Sequence, residues 1–340
     1  MPLSEESLRV AIAGAASLRG QDLKSFLEES GFPAGEVRLF DEEPLAGTLT
    51  ELGGEAALIQ GIGEDSFHGL RFVFFAGTRA FARLHGPAAL RAGATVIDLT
   101  GELADLPGAT AWIPRVDGVL APPSKSKAME GAQVFLAPST PAIVAISFCA
   151  ALGPLGAKRV VLNLLAPASE RGKEGVEELS EQTIKLLSLQ PIPQDVFACQ
   201  VAFNMVDRWG AESREDLPKQ CEAIAREVRC YLDGRAALPA ISLTQAPVFY
   251  GHAFTAFLEF ESGAGAAALG KRLAAAGFEE ITADDPPPSN VSVAGTAKVA
   301  VTAAVADGGV PNGYWIWGAA DNYRLAVSNA TQIAEKLLVS

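Results

Sequence analysis

Apolar residues in the first third of the chain alternate between short continuous runs and longer stretches with helical spacing. The continuous runs predict buried strands, and they lie at residues 8–13, 37–40, 70–76, 95–99 and 134–136. The stretches with helical spacing, at 21–30 and 79–91, predict helices between the strands. Strands that are apolar on both faces are typical of a parallel sheet covered by crossover helices, so an α/β, Rossmann-like dinucleotide-binding domain is predicted over residues 1–137.

The pattern changes after residue 138, where strands come in larger groups. Strands are predicted at 159–165, 248–261, 298–304 and 314–317. Helices are predicted at 175–187, 216–232, 266–276 and about 326–338. This grouping favours a second, α+β domain over residues 138–321, with a mixed or antiparallel sheet and helices on one face.

Charge and composition narrow the classes of partner. The 27 lysines and arginines and 40 aspartates and glutamates give a formal net charge of −13, without a basic run that could attract a polyanion, so neither nucleic acid nor an anionic membrane surface is an expected partner. The longest apolar run, residues 141–152, is shorter than the roughly 20 residues of a membrane span. The four cysteines lack CxxC spacing, and residues 1–7 lack a secretory signal. We therefore expect a soluble cytoplasmic protein without a metal site.

A glycine-containing turn follows the first predicted strand and precedes the first helix. Such a turn lets a pyrophosphate approach backbone amides at the positive end of a helix. Gly14 and Gly20 lie where glycines are expected. Ser17 occupies the middle glycine position, where its side chain leaves less room for a pyrophosphate to approach the backbone. Gly14, Ala15, Ser17, Leu18 and Gly20 are the candidate cofactor contacts, and a turn that serves only tight packing is the alternative.

An acidic segment, Asp41-Glu42-Glu43, ends the second predicted strand. A carboxylate about 20 residues after the glycine turn is where a ribose 2′-hydroxyl binds, and three carboxylates would repel a 2′-phosphate. If a dinucleotide binds, NAD is therefore favoured over NADP, with Asp41 as the ribose contact. A solvated acidic loop is the competing interpretation.

The chain contains three histidines, His68, His85 and His252. The first two lie in polar surroundings and are expected at the surface. His252 lies beside an apolar strand, where an imidazole could act as a general acid or base or could be a buried structural residue.

Several segments resemble the aspartate-semialdehyde dehydrogenases, in the order seen in that family. They are 14–20, Phe75-Ala76-Gly77, 178–187, Val201-Ala202-Phe203-Asn204, Pro247-Val248-Phe249-Tyr250-Gly251-His252, Asp321-Asn322 and the closing helix with Asn329-Ala330. The resemblance runs from about residue 8 to residue 338. It implies the two-domain layout, a homodimer formed through the second domain, the return of a C-terminal helix, 322–340, to the nucleotide domain, and cofactor contacts at Gly77 and Asn322.

The resemblance also implies a reaction that this sequence departs from. In that family a cysteine attacks the semialdehyde, hydride passes to NADP, and phosphate releases the acyl group from the thioester. The cysteine position falls on Thr140, the steering glutamine on Ala166, the carboxylate-binding arginine on Gln245 and a phosphate-binding arginine near Ala104. The family features that remain are His252 at the acid/base position and Asn204. Asp216 and Lys219 have the acidic-x-x-Lys spacing of the family, but the sequence does not fix their alignment with the family's residues.

Three hypotheses follow from these departures. A threonine hydroxyl is a poor nucleophile without a dedicated base, and Cys149 lies about 13 Å further along a helix. The first hypothesis is a pseudoenzyme of the family with a binding or regulatory role. The second is an NAD(P)-dependent semialdehyde dehydrogenase or other oxidoreductase of amino-acid biosynthesis that uses His252 for hydride transfer without a covalent intermediate. The third, retention of the parental reaction, needs another group in place of the thiol.

Overall fold

The computed structural model describes residues 8–121, 133–282 and 284–339. They fall into two compact units: the first contains 8–114, 133–138 and 326–339, and the second contains 115–121 and the described part of 139–325. Segments 115–121 and 322–325, which the sequence-based limits place with the nucleotide domain, cluster with the second unit. The interpretation of residues 1–7 lies outside the described residues. Within the described ranges, no helix is both long enough and apolar enough to cross a bilayer.

Helices occur in both units. They are α1 (Leu18–Glu29), α2 (Arg79–Arg91), α3 (Thr140–Leu152), α4 (Gly172–Leu187), α5 (Leu217–Leu232), α6 (Ala266–Ala275) and α7 (Arg324–Leu338).

The first unit is built on a parallel sheet. The strands described before residue 139 are β1 (Arg9–Ala13), β2 (Glu36–Phe40), β3 (Leu49–Leu52), β4 (Glu55–Leu58), β5 (Phe72–Phe75), β6 (Thr95–Asp98), β7 (Thr110–Ala111) and β8 (Val134–Leu136). Six of these described strands pair in the order β2-β1-β5-β6-β8-β7, and every pair is parallel. The chain crosses from one side of β1 to the other, and ligands of open parallel sheets bind at such a switch point. The Rossmann-like prediction is confirmed.

The two faces of this sheet are covered by different helices, because alternate strand residues point to opposite sides. Ile12 packs in one cluster with Leu27 of α1 and Ile333 of α7. Ala13 packs in another cluster with Phe81 of α2. Burial on both faces explains why these strands are continuously apolar.

The antiparallel hairpin β3–β4 is an addition that the sequence pattern did not predict. Gly53 and Gly54 form its turn with φ of +61° and +79°, a region that favours glycine. Its strands are four residues long and largely exposed, so they carry little apolar periodicity.

The second unit is built on a mixed sheet, as predicted. Its strands are β9 (Ala157–Ala166), β10 (Ala240–Gln245), β11 (His252–Phe260), β12 (Phe278–Glu280), β13 (Val299–Val301), β14 (Val305–Ala306) and β15 (Gly313–Ala320). In the described residues the order is β10-β9-β11-β15-β13-β12, with β14 paired to β15. β9–β10 and β12–β13 are parallel, and the other pairs are antiparallel. Every residue of α3 is buried, and α3 packs against α5, α6 and β9.

One predicted strand begins later than the sequence pattern indicated. The run 248–261 was expected to be a strand throughout, but β11 begins at His252. The carbonyl oxygens of Val248 and Phe249 accept hydrogen bonds from the amides of Ala168 and Ser169, and Gly251 has φ of +78°. These contacts bend the chain out of the sheet just before His252.

Candidate functional site

The glycine turn between β1 and α1 is held by close backbone packing. Gly14 has φ of +94°, and a Cβ built there would lie 2.2 Å from the Cα of Gly77. A Cβ on Gly20 would lie 2.1 Å from the carbonyl oxygen of Gly14. The backbone of this unit therefore requires glycine at Gly14 and Gly20, whether or not a nucleotide binds there.

Ser17 caps the helix that follows the turn. Its hydroxyl accepts a hydrogen bond from the amide of Gly20 at 2.9 Å and donates to the carbonyl oxygen of Ala76 at 2.9 Å. α1 then begins at Leu18. The hydroxyl proton of Ser17 is thus directed to the protein backbone, while Ala15 is buried beneath the turn.

Asp41 is part of this turn in space. It is 6% exposed, and its two carboxylate oxygens accept hydrogen bonds from the amides of Ala16 at 2.7 Å and Glu42 at 2.9 Å. Glu42 and Glu43 are exposed. The interpretation as a solvated acidic loop therefore fits Glu42 and Glu43 but is wrong for Asp41, which is buried by its contact with the turn.

A cavity of about 330 Å³ opens beside the acidic segment. It is lined by Asp41, Glu42, Glu43, Gly61, Ile62, Ala80, Phe81, Leu84 and His85. The ring centroids of His85 and Phe81 are 4.7 Å apart. Partial burial lowers the pKa of His85, and the charge of Glu42 opposes this. Another cavity of the same unit, about 430 Å³, is lined by Pro114, three α7 residues and Val339, and none of the candidate residues lines it.

In the second unit, Thr140 is the first residue of α3 and is 2% exposed. Its hydroxyl donates a hydrogen bond to the carbonyl oxygen of Asn322 at 2.8 Å. The amide of the preceding residue, Ser139, donates to a carboxylate oxygen of Glu227 at 2.7 Å. An internal carboxylate thus lies at the positive end of α3, and the Thr140 proton is directed to the backbone.

His252, the first residue of β11, is 1% exposed. Its Nδ1 lies 3.2 Å from the carbonyl oxygen of Leu165, and its Nε2 lies 3.0 Å from Oε1 of Glu170. A carbonyl oxygen can only accept, so a hydrogen bond from the ring to Leu165 uses the Nδ1–H tautomer, while Nε2 lies against a carboxylate oxygen of Glu170. Both ring nitrogens are therefore engaged within the unit.

Asn322 connects the surroundings of Thr140 and His252. It is 4% exposed, and its Oδ1 accepts a hydrogen bond from the amide of Gly251 at 2.9 Å. Its Nδ2 donates to Oγ of Ser169 at 3.1 Å and to Oε1 of Glu170 at 3.2 Å. Asn322 was predicted as a cofactor contact, but each polar atom of its side chain is already bonded within the second unit.

Gln245 and Ala166 are paired by the parallel register of β9 and β10. Gln245 is fully buried, and its Nε2 donates to the carbonyl oxygens of Ala166 at 3.0 Å and Ala246 at 2.9 Å. Its Oε1 accepts from Nε1 of Trp209 at 3.3 Å. The amide expected at the carboxylate-binding position is thus satisfied by the protein itself.

Comparison with known proteins agrees with this architecture. A family model described as semialdehyde dehydrogenase, NAD binding domain, matches residues 9–118, and one described as semialdehyde dehydrogenase, dimerisation domain, matches residues 150–325. The chain belongs to the semialdehyde dehydrogenase family. The resemblance to aspartate-semialdehyde dehydrogenases is confirmed.

The similar proteins span nearly the whole chain. A USG-1 protein homolog from Pseudomonas aeruginosa is 28% identical, with 98% of each chain covered. Aspartate-semialdehyde dehydrogenase 2 from Vibrio cholerae is 26% identical, again with 98% of each covered. The crystal structure of aspartate semialdehyde dehydrogenase II from Vibrio cholerae is 25% identical, covers 98% of this chain and 99% of its own, and has a TM-score of 0.84.

Among the described residues, no hydrogen bond links the other positions implied by the family resemblance to the His252 cluster. Asn204 is exposed, and its side chain bonds the carbonyl oxygen of Gln200 and the amide of Met205. Asp216 and Lys219 face each other at 4.0 Å at the exposed start of α5. Ala104 is exposed in the first unit.

Three of the four cysteines are poorly suited to replace the nucleophile, because burial disfavours their thiolate form. All four are free, and burial raises the pKa of Cys149 to about 12 and also raises the pKa values of Cys199 and Cys221. In the described part of the chain, no group of acidic, histidine and cysteine side chains could hold a metal ion.

Glu170 and Ser169 are functional candidates that sequence reasoning missed. They lie on the short 3-10 turn Ala168–Arg171 that follows β9. The sequence offered one indication of their role, since this turn follows Ala166, a position that the family resemblance places in the site. Its importance becomes visible only through contacts with His252 and Asn322, which are remote in sequence.

Proposed function

We propose that this member of the semialdehyde dehydrogenase family does not carry out thioester-based oxidation and acts as a nucleotide-binding or regulatory pseudoenzyme. The observation that carries the proposal is the buried Thr140 hydroxyl, whose proton is directed to the Asn322 carbonyl oxygen. A hydroxyl without an adjacent base is a weak nucleophile, and an ester is a poorer acyl donor than a thioester. Loss of such a nucleophile costs on the order of 10⁶ in rate.

Two further positions of the second unit, Gln245 and Ala166, support the same proposal. Gln245 has no positive charge, and its amide is bonded to backbone and to Trp209, so it cannot bind a substrate carboxylate as an arginine would. Ala166 has no polar side-chain atom that could steer a reacting carbonyl group. Nucleophile, steering group and carboxylate-binding group are therefore absent together.

The test is a turnover assay with aspartate semialdehyde, phosphate and either NAD or NADP. We expect turnover at least about a hundredfold below that of a relative with the family's cysteine measured alongside. Thr140→Cys alone should not restore full activity, because Gln245 still lacks the charge for a substrate carboxylate. Wild-type turnover within about a hundredfold of the relative would contradict the proposal.

The first unit is proposed to bind a nicotinamide cofactor, with NAD preferred over NADP. The carboxylate of Asp41 uses one hydrogen bond per oxygen for backbone amides, so lone pairs remain for a ribose hydroxyl. Glu42 and Glu43 are exposed beside it and would repel a 2′-phosphate. Calorimetric titration with both cofactors tests this, and tighter binding of NADP would contradict the preference.

A homodimer is proposed through the open face of the mixed sheet in the second unit. Trp315 is 46% exposed, its ring centroid lies 4.9 Å from that of Phe257, and the paired Val305 is 63% exposed. An aromatic and aliphatic sheet face of this kind is typical of protein interfaces. Sedimentation velocity should give a dimer for the wild type and a smaller species for Trp315→Glu.

A second candidate function is a cofactor-dependent oxidoreductase that uses His252 as acid or base without a covalent intermediate. The contact of the imidazole with the carboxylate of Glu170 favours it, because such pairs orient catalytic histidines. Absence of binding to both NAD and NADP would exclude this candidate but would leave a regulatory role without a cofactor.

A further inference from the structure

Two side-chain nitrogen atoms, one from His252 and one from Asn322, converge on one carboxylate oxygen in the second unit. Nε2 of His252 lies 3.0 Å and Nδ2 of Asn322 lies 3.2 Å from Oε1 of Glu170. Two donors aimed at one oxygen are the arrangement by which proteins bind an oxyanion. Here the oxygen belongs to the chain itself.

The donors are held in place by contacts that do not depend on Glu170. Nδ1 of His252 bonds the carbonyl oxygen of Leu165, and Oδ1 of Asn322 accepts from the amide of Gly251. Both donor residues are almost completely buried. Removal of Glu170 should therefore leave the two donors close to their present positions.

The acceptor is placed differently from the donors. Glu170 lies on the short 3-10 turn Ala168–Arg171, and its side chain is 28% exposed, against 2% for His252. The carboxylate of Glu170 thus enters the site from the side that is partly exposed to solvent. A small carboxylate from solution can follow the same approach once the side chain is shortened.

We propose that Glu170 is an internal ligand of a carboxylate-binding site formed by His252 and Asn322, and that it excludes small carboxylates from this site. The inference rests on the proposed function, which is the absence of thioester-based oxidation. It adds a second reason for that absence, an anion site already filled by Glu170, beside the missing nucleophile. The ligand class is a small organic acid that presents one carboxylate oxygen to Nε2 of His252 and Nδ2 of Asn322.

The test is an acetate titration followed through the histidine ring signals in NMR spectra, which are simple because the chain has three histidines. Glu170→Ala opens the site, and Glu170→Gln is the matched control because it keeps an oxygen in place. We expect a saturable acetate-dependent shift of the His252 signals in Glu170→Ala, with an affinity at least about tenfold above that of wild type or Glu170→Gln.

Equal responses of wild type and Glu170→Ala, or no saturable response in a folded Glu170→Ala protein, would overturn the inference. If Glu170→Ala fails to fold, Glu170→Asp carries the test, because its shorter carboxylate should be displaced by acetate at lower concentration than that of the wild type. Absence of such displacement would also overturn it. The outcome is separate from the turnover assay: a wild type with parental activity contradicts the proposed function but says nothing about acetate at His252.

Discussion

In the first unit a cavity of about 330 Å³ lies open beside Asp41 and His85, whereas in the second unit Thr140, His252 and Gln245 are each at most 2% exposed and bonded to internal partners. Both units keep the backbone of the family, but they differ in what is left for a ligand. In the first unit carboxylates face the cavity. In the second, the carboxylates of Glu170 and Glu227 contact Nε2 of His252 and the amide of Ser139. The first unit thus leaves carboxylates beside an open cavity, whereas the candidate residues of the second unit are engaged by other parts of the chain.

The largest expected effect concerns the backbone of the glycine turn. Gly14→Ala places a Cβ against the backbone of Gly77, and because neither backbone can yield cheaply, we expect a loss of more than about 4 kcal/mol in the free energy of unfolding. Gly47→Ala is the matched control, since Gly47 has a similar φ of +90° and no atom within 4 Å of the added Cβ. It should cost about 1 kcal/mol. Urea unfolding measures both, and equal losses would contradict the packing argument.

The next effect concerns the hydrogen-bond network of the second unit. Asn322→Ala removes the partner of the Gly251 amide and a donor to Glu170, and unsatisfied buried polar groups should cost about 2 to 4 kcal/mol. The control, Asn204→Ala, removes an exposed amide and should cost less than about 0.5 kcal/mol. A similar unfolding free energy for the two variants would show that the network is not stabilising.

A smaller effect is expected on the cofactor preference of the first unit. Neutralising Glu42 and Glu43 with glutamine should raise the affinity for NADP about tenfold and leave that for NAD nearly unchanged, because only NADP carries the repelled 2′-phosphate. The gain should shrink at high salt. Calorimetry measures both affinities, and parallel changes for the two cofactors would contradict the proposed role of the acidic segment.

The smallest effect is a pH dependence that arises from His85. Its pKa is lowered in the folded protein, so the unfolded chain binds this proton more tightly. The contribution of His85 to stability is therefore present at a pH above the ordinary pKa of histidine. It is lost as the pH falls through the lowered pKa of the folded protein. Between pH 7 and pH 5 the wild type should lose more stability than His85→Gln, with His68→Gln as the surface control. A steeper loss in His85→Gln would contradict this sign.

Much of the fold was predictable because the spacing of apolar residues within one helix or strand is a local property of the sequence. Residues 79–91 were predicted as a helix, and α2 has the same limits, since its apolar spacing is regular and Thr78 caps its first turn. The late start of β11 was not predictable from an apolar run, because Val248 and Phe249 are bonded to a turn about 80 residues earlier in the sequence.

The site was only partly predictable, for the same physical reason. The resemblance pointed to Thr140, Gln245 and His252, and strand register explains why Gln245 lies beside Ala166 in the second unit. Glu170 and the buried position of Asp41 depend on contacts between distant segments, and no pattern along the chain reports such contacts.

The central claim is that the chain forms no acyl intermediate, and intact-mass spectrometry tests it most directly. The protein is incubated with aspartate semialdehyde and NAD or NADP in phosphate-free buffer, where an acyl group formed by oxidation would remain attached to its nucleophile. The account predicts an unchanged mass for the wild type, beside a relative with the family's cysteine that gains the acyl group. A stoichiometric acyl adduct on Thr140 would contradict it.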